Sequence, residues 1–132
     1  MAVAELNLTD VKFDDGLETI LIRRKGGRII GGLTLNMTGF TDDVVKGGHI
    51  IIRSTTDETD CRPMPVSNGA FGTLITGFEY AGILVRSVTK KDPRAAIQYD
   101  GEINDKAMPY PLTDALKTAL KAALPSLYFM HD

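Results

Sequence analysis

The sequence predicts a mainly β, single-domain protein with one helix near its C-terminus. Thirteen glycines and six prolines divide its 132 residues into short apolar runs rich in isoleucine, valine, leucine and threonine. This pattern is typical of strands joined by many turns. The clearest helical periodicity lies at 114–124. The length allows one domain, with or without a tail.

Composition and charge favour a soluble globular protein and argue against bulk binding of nucleic acid. Fifteen Lys and Arg against seventeen Asp and Glu give a formal net charge of −2, so the basic excess of a nucleic-acid-coating protein is missing. No apolar stretch approaches the roughly 18 residues of a membrane helix, and residues 1–10 lack the basic and apolar regions of a signal peptide. We expect no membrane partner and no export by this route.

Residues 1–15 are expected to form an N-terminal arm or edge strand, followed by one β-rich domain over 16–132. The arm contains no glycine or proline, and its apolar side chains lie at alternate positions in two pairs: Leu6 and Leu8, then Val11 and Phe13. Each pair has strand spacing, but the alternation slips between the pairs. The segment is therefore either an internal strand or an arm that pairs with another chain.

A β-hairpin is predicted between residues 17 and 35. Two β-prone runs, 17–23 and 28–35, flank the sequence Arg24-Lys25-Gly26-Gly27. Glycine supplies the positive φ that tight hairpin turns require. The pair Gly31-Gly32 inside the second run indicates a bulge or the close approach of another backbone.

The remaining elements follow in order along the chain. Short strands are predicted at 44–45, 50–53, 80–85, 94–99 and 126–130, the fourth ending at Asp100-Gly101. Between them lie a polar loop at 55–60, an extended segment at 63–65 and a turn at 67–69.

The predicted helix at 114–124 carries both of its boundary signals. Thr113 is a suitable N-cap, and Pro125 ends the helix because the residue before a proline resists helical angles. One apolar stripe recurs at every fourth position: Leu116, Leu120 and Leu124.

No catalytic, cofactor-binding or metal-binding constellation emerges from the residue pattern. The glycine pairs at 26–27, 31–32 and 47–48 lack Walker A spacing and precede no helix, so turns are favoured over a phosphate site. Cys61 has only two histidines in the chain as possible bases and is interpreted as a small inert residue. His49, beside a predicted strand, is interpreted as a packing residue.

The charged clusters also have ordinary interpretations. Acidic pairs at 14–15 and 42–43 and the loop at 57–60 lack the glycine and bidentate glutamate of an EF-hand, which favours solvated turns. The basic residues at 23–28 favour hairpin-tip charge over a phosphate contact. A structural or binding role is therefore favoured, and a small enzyme using Cys61, His49 and the 57–60 loop is the weakest alternative.

Three stretches of the C-terminal half carry a resemblance: Phe78–Val85, Ala95–Asn104, and Ala107–Leu112 leading into the helix and apolar tail. Together they resemble the head-decoration, or capsid-stabilising, proteins of tailed phages of the lambdoid type. In that family an Ala-Gly-Ile-Leu strand precedes a strand closing on Gly-Glu, and a helix followed by a short apolar strand ends the domain. The resemblance covers about residues 44–132.

The resemblance implies a compact β-barrel-like or β-tulip-like domain that is not an enzyme and needs no cofactor or metal. It implies a homotrimer that is made in the bacterial host cytoplasm and binds the major capsid protein on the outer surface of an icosahedral head. In such proteins the arm pairs with a capsid-protein strand, and the arm residues Leu6, Leu8, Val11 and Phe13 occupy the matching region. The predicted hairpin at 17–35 departs from the family pattern.

The alternative interpretation is a phage tail, baseplate or fibre adaptor. Such a protein would use the same β-rich scaffold to bind a partner protein or a surface glycan.

Overall fold

A computed structural model describes residues 21–24, 26–57 and 59–130 of the chain. Within these ranges the fold is mainly β with one α-helix near the C-terminus, as the sequence predicts. The strands are β1 Ile22–Arg24, β2 Arg28–Thr34, β3 Val44–Val45, β4 Ile50–Ser54, β5 Cys61–Pro63, β6 Val66–Ser67, β7 Ala70–Phe71, β8 Phe78–Leu84, β9 Val88–Thr89, β10 Arg94–Gln98, β11 Gly101–Ile103 and β12 Leu127–Phe129. A 3-10 turn, Asp105–Ala107, precedes helix α1, Asp114–Ala123.

The described strands form one large sheet and three smaller ones. The central sheet has the order β2-β10-β8-β4-β5, and a three-stranded sheet has the order β1-β11-β12. Strands β3 and β9 pair with each other, as do β6 and β7. These sheets do not close into a barrel, so the mainly β class is confirmed without barrel closure.

The central sheet is covered on both faces. Along β4, Ile50 and Ile52 face one hydrophobic core and Ile51 faces the other, as alternation along a strand requires. All three side chains are fully buried. A strand covered on both faces needs no polar positions, which explains the continuous isoleucine run.

The two cores lie on opposite faces of this sheet. The first core contains Leu120 from α1, Ile103 from β11 and Leu127 from β12. The second core contains Leu84 from β8 and Ile97 from β10. Helix α1 and the three-stranded sheet therefore belong to the first core, and the second core is completed by the loop that precedes β3 and by the β3–β9 pair.

The predicted hairpin at 17–35 is wrong, because its two strands do not pair with each other. Strand β1 pairs antiparallel with β11, with Ile22 opposite Ile103. Strand β2 pairs antiparallel with β10, with Arg28 opposite Gln98. Since β10 and β11 are consecutive in the chain, strands β1 and β2 form a bent ribbon along residues 94–103.

The glycines assigned to the hairpin turn instead permit a close crossing of two backbones. A Cβ atom at Gly26 would collide with the Asp100 carbonyl, and one at Gly27 would lie 2.9 Å from the Tyr99 ring. The Tyr99 N–H donates to the Gly27 carbonyl at 3.0 Å. A Gly-Gly pair satisfies a tight turn and a tight crossing equally well, so the local pattern does not distinguish them.

The predicted irregularity at Gly31-Gly32 is confirmed as a bulge. Between the pairs Ile29↔Ile97 and Leu33↔Ala95, the register of β2 against β10 shifts because β2 contains the extra residues. Extra residues on one strand of a ladder bend that strand and increase its twist.

The other predicted strands are confirmed, and the structure supplies their partners. The predictions at 44–45, 50–53, 80–85, 94–99 and 126–130 correspond to β3, β4, β8, β10 and β12. Strands β4 and β10 both pair antiparallel with β8, whereas β12 pairs parallel with β11. Strands β5, β6, β7, β9 and β11 were not predicted as strands, because two or three residues are too few to show an alternation.

The predicted turn at 67–69 joins β6 to β7. Asn68 has a φ of 54° and Gly69 a φ of 74°. Positive φ at both central residues is the signature of a type I′ hairpin turn. The extended segment at 63–65 is also confirmed, since β5 ends at Pro63 and no helix follows.

Helix α1 has the N-cap that the sequence predicts. The Thr113 hydroxyl accepts a hydrogen bond from the Leu116 N–H at 3.2 Å, and Leu124 is the C-cap. The leucine stripe packs against the first core. The helix is also tied to the 3-10 turn, because Lys117 Nζ lies 2.8 Å from the buried Asp105 Oδ2.

We predict that Gly101→Ala destabilises the fold by about 2–4 kcal/mol, because it combines backbone strain with a collision. Gly101 has a φ of +123°, and a Cβ atom there would collide with the Arg24 carbonyl and lie 2.6 Å from Gln98 Nε2. Gly39→Ala is the matched control, since Gly39 has a φ of +82° but open space around it. The control is expected to lose about 1 kcal/mol. Urea unfolding followed by circular dichroism measures both, and equal losses would contradict the close crossing.

Candidate functional site

The predicted arm contacts Leu6, Leu8, Val11 and Phe13 lie outside the described residues, as do Asp14, Asp15 and His131. The described chain begins at Leu21, which is fully buried in the first core. The Leu21 carbonyl accepts a hydrogen bond from the Asn104 N–H at 2.7 Å. The attachment point of the N-terminal segment is therefore anchored in the fold.

Cys61 and His49, the candidate nucleophile and base, do not form a catalytic pair. Cys61 is fully buried in the second core, opposite Arg53 on β4. Burial raises the pKa of its thiol, and the charge of Arg53 opposes this only in part. His49 makes no hydrogen bond to Cys61; its Nε2 lies 2.8 Å from the carbonyl of Met64, a residue of the first core.

The acidic loop at 57–60 uses its described carboxylates to hold the loop and its neighbours. Asp57 accepts hydrogen bonds from the Thr59 N–H at 3.0 Å and from its hydroxyl at 2.6 Å. Asp60 forms a two-pronged ion pair with Arg62, at 3.0 and 3.1 Å, which lowers the pKa of Asp60. In the part of the chain that the structure describes, no three His, Cys, Asp or Glu residues are grouped to hold a metal ion.

The basic segment at 23–28 does not form a hairpin tip. Arg24 lies across the β1–β11 pair from Glu102, with 3.1 Å between its Nε and the carboxylate oxygen. The Arg24 side chain is half exposed, so this ion pair contributes little to stability. The ion pair places opposite charges on facing residues of β1 and β11.

His49 lies immediately before β4, among aromatic rings from three distant segments. Its ring is only 1% exposed. The Phe40, Phe71 and Tyr110 rings all meet it nearly at right angles, with centroids 5.6, 5.1 and 5.8 Å away. The prediction that His49 is a packing residue is therefore confirmed.

The tautomer of His49 follows from its hydrogen bond. A carbonyl only accepts, so Nε2 carries the proton that is donated to the Met64 carbonyl, and Nδ1 is unprotonated. Burial lowers the pKa of His49 to about 4, against smaller upward effects of this hydrogen bond and of the Asp42 charge. The ring is neutral near pH 7.

The His49 cleft is a surface cavity of about 230 Å³ on one side of this ring. Its lining includes Phe40, Asp42, Asp43, Lys46, His49 and Tyr110. The sequence predicts packing for His49, a solvated turn for the aspartates and a core or interface position for Tyr110, but it does not bring Phe40 or Tyr110 to His49. No signal in the sequence links these two rings to His49, because they lie nine residues before it and sixty-one after it.

Two further concave regions lie elsewhere on the described surface. A groove of about 330 Å³ runs between α1 and the segment after β7, lined by apolar side chains that include Phe71, Leu74 and Leu116. A cleft of about 440 Å³ lies beside β9. Its Arg94 is already held by Asp92 through two contacts of 2.9 and 3.1 Å.

Exposed apolar side chains mark the C-terminal strand. Tyr128 on β12 and Met130 after it are each nearly half exposed. Lys121 Nζ lies 3.6 Å from the centroid of the Tyr128 ring, a cation–π contact between α1 and β12. This surface is therefore partly covered by the lysine side chain.

Comparison with known proteins finds no matching family model, no matching curated protein and no matching solved structure. Among the described residues, no helix is both long enough and apolar enough to cross a membrane.

We predict that His49 makes the folded state less stable as the pH falls. The His49 ring takes up a proton at about pH 6.5 in the unfolded state and only at about pH 4 in the folded state. Its contribution to the free energy of unfolding is therefore fully present above about pH 6.5 and is lost as the pH falls from there to about 4. The expected loss between about pH 7.5 and about pH 5 is ~2 kcal/mol. Urea unfolding at several pH values measures it.

His131→Gln is the control for this measurement, and it should leave the pH dependence intact. His49→Gln should remove the dependence. If His49→Gln does not fold, the NMR signals of the His49 ring in the unaltered protein decide the matter. A ring that titrates above about pH 6 would contradict its burial in neutral form.

We also predict that Cys61 is unreactive in the folded protein, because the thiolate is the nucleophile and burial disfavours it. Labelling with Ellman's reagent should be at least about 100-fold slower in buffer than in strong urea. Fast labelling of the folded chain would show that the second core opens readily.

Proposed function

We propose that this chain is a non-enzymatic structural protein of a phage virion. It binds the outer surface of an icosahedral head as a trimer, contacts the major capsid protein and stabilises the shell. The observation that carries this proposal is the order of elements along residues 78–129.

This order agrees with the one that the sequence resemblance implies. The residues Ala81-Gly82-Ile83-Leu84 lie in β8. Strands β9 and β10 follow, and Gly101-Glu102 begins a separate strand, β11, whereas the family pattern has a strand that closes on Gly-Glu. Helix α1 and the short apolar strand β12 complete the described chain. The order of β8, β10, α1 and β12 supports the resemblance, and the additional strands β9 and β11 depart from the family pattern.

The construction of the central sheet supports a mechanical role. Its strand β4 is buried on both faces, and its neighbour β8 pairs with it over five positions, Ile50↔Ile83 to Ser54↔Phe78. Close-packed interiors have low compressibility and transmit strain. A block of this kind holds its shape when neighbouring shell subunits push against it.

The proposed arm contact supplies attachment to the shell. An extended segment that joins the edge of another protein's sheet gains affinity from backbone hydrogen bonds and specificity from alternate side chains. Residues 1–15 have the required alternation in two pairs. Three weak arms in one trimer bind a lattice far more tightly than one arm does, because the second and third contacts form at high effective concentration.

The proposal predicts that the gene of this chain lies beside a major capsid gene, and the test uses the protein that this neighbouring gene encodes. Shells assembled from that protein are mixed with the purified chain and sedimented, and light scattering gives the oligomeric state on and off the shell. We predict that the chain co-sediments, and that changing Leu6, Leu8, Val11 and Phe13 together to Ser weakens binding by at least about tenfold.

The matched control changes the intervening polar residues Asn7, Thr9, Asp10 and Lys12 to Ser, which leaves the apolar alternation intact. This control should bind like the unaltered chain. A monomer with no affinity for shells would refute the proposal. A gene surrounded only by tail genes, with binding to a tail protein, would replace it with the adaptor interpretation.

A further inference from the structure

The His49 cleft has the form of a small aromatic box. The Phe40 and Tyr110 rings are inclined at 83° and 86° to the His49 ring, so they stand as two walls beside it. Both rings are only partly buried, and both line the cleft together with His49. The box is open to solvent on the side where Asp42 and Asp43 lie exposed.

The buried floor of this box carries an unused hydrogen-bond acceptor. The Nε2–H group of His49 donates a hydrogen bond to the Met64 carbonyl, and Nδ1 has no hydrogen-bond partner among the described residues. Among the described side chains, the one polar atom that is both fully buried and without a partner is Arg53 Nε. Nδ1 of His49 therefore keeps a small area of solvent contact. Since His49 lines the cleft and is otherwise buried, the accessible lone pair of Nδ1 faces the cleft.

The rim of the box adds oxygen acceptors and negative charge. The Tyr110 hydroxyl and the carboxylates of Asp42 and Asp43 make no hydrogen bond within the described residues. Burial and, to a smaller extent, the charge of Asp42 raise the pKa of Tyr110, and the same charge opposes the lowering of the pKa of His49 by burial. The described lining holds these two carboxylates and one lysine, Lys46, and the ammonium of Lys90 lies beside it, where its Nζ donates to the Phe40 carbonyl at 2.8 Å.

The cleft therefore offers hydrogen-bond acceptors, aromatic faces and two carboxylates. These features match a ligand that carries hydrogen-bond donors and a positive charge. A cation over an aromatic ring is attracted by the ring quadrupole, and desolvation in a cleft strengthens that attraction. Its volume of about 230 Å³ admits the end of a lysine or arginine side chain.

We propose that the His49 cleft binds a cationic group, an alkylammonium or a guanidinium, presented by a side chain of a partner protein. The two carboxylates at the rim attract the cation, the Phe40 and Tyr110 rings enclose it, and His49 Nδ1 accepts one of its hydrogen bonds. This inference is independent of the proposed function, because its test uses the purified chain and no phage head.

The test is an NMR titration of the purified chain with N-acetylarginine amide. N-acetylcitrulline amide is the matched probe, since it has nearly the same shape and no charge. We predict that the arginine probe shifts the signals of residues 40–49 and 109–110, with a Kd on the order of millimolar. The citrulline probe should bind at least about tenfold more weakly. Equal binding of the two probes, or shifts centred elsewhere, would refute the proposal.

Substitutions at the rim test the same cleft from the protein side. Asp42→Asn and Tyr110→Leu should each weaken binding of the arginine probe by about fivefold. Glu79→Gln removes the same charge from an exposed position outside the cleft and should leave binding unchanged. If Tyr110→Leu fails to fold, the exposed Asp42→Asn variant alone decides, and unchanged binding in that variant overturns the proposal.

A final measurement distinguishes the two possible sources of the cation, a protein side chain and a free small molecule. N-acetylarginine amide represents a side chain within a protein, whereas agmatine represents a free small-molecule amine. Similar or tighter binding of N-acetylarginine amide supports a protein partner. Agmatine binding that is tighter by about tenfold or more would overturn the assignment to a protein side chain.

Discussion

The antiparallel pairing of β1 with β11 and of β2 with β10 is the constraint on which the rest of the fold depends. It joins the two main sheets, because β2 and β10 belong to the central sheet while β1 and β11 belong to the three-stranded sheet. At the bend, the fully buried Gln98 donates from Nε2 to the Arg24 carbonyl at 3.1 Å. A buried amide satisfied in this way fixes where the ribbon turns, since an alternative register would leave it without its partner.

The bend also determines how the two cores meet. His49 lies at the end of the central sheet, where Phe40 packs against the second core and Phe71 packs against the first. The His49 ring touches both. An imidazole with one nitrogen bonded to Met64 is a polar connector between two apolar cores, and this position leaves its second nitrogen beside the surface. The cleft is thus a consequence of how the cores are joined.

Local signals in the sequence predict the positions of most strands and of the helix well. They fail where the structure depends on which strands pair with each other. Strands such as β4 and β8, the cap at Thr113 and the bulge at Gly31-Gly32 depend on neighbours within a few residues. The hairpin at 17–35 failed because its partner strands lie some seventy residues away, at β10 and β11. Its glycines permit a crossing as readily as a turn. The burial of His49 was predictable from its place beside an apolar run, whereas the rings around it come from two separate loops and from strand β7.

The two proposed contacts differ in physical character, and this difference bears on how such a protein would hold a lattice. An arm that joins a sheet is held by backbone hydrogen bonds and apolar side chains, which dissolved salt affects little. A cation between Asp42 and two aromatic rings is held partly by charge, and salt screens such attraction between exposed charges beyond about 8 Å under physiological conditions. Each contact is weak alone, and copies linked in an oligomer multiply their effect. Attachment would therefore persist at high salt through the arm, while the charged cleft would speed encounter and fix orientation, as complementary charge does at other protein interfaces.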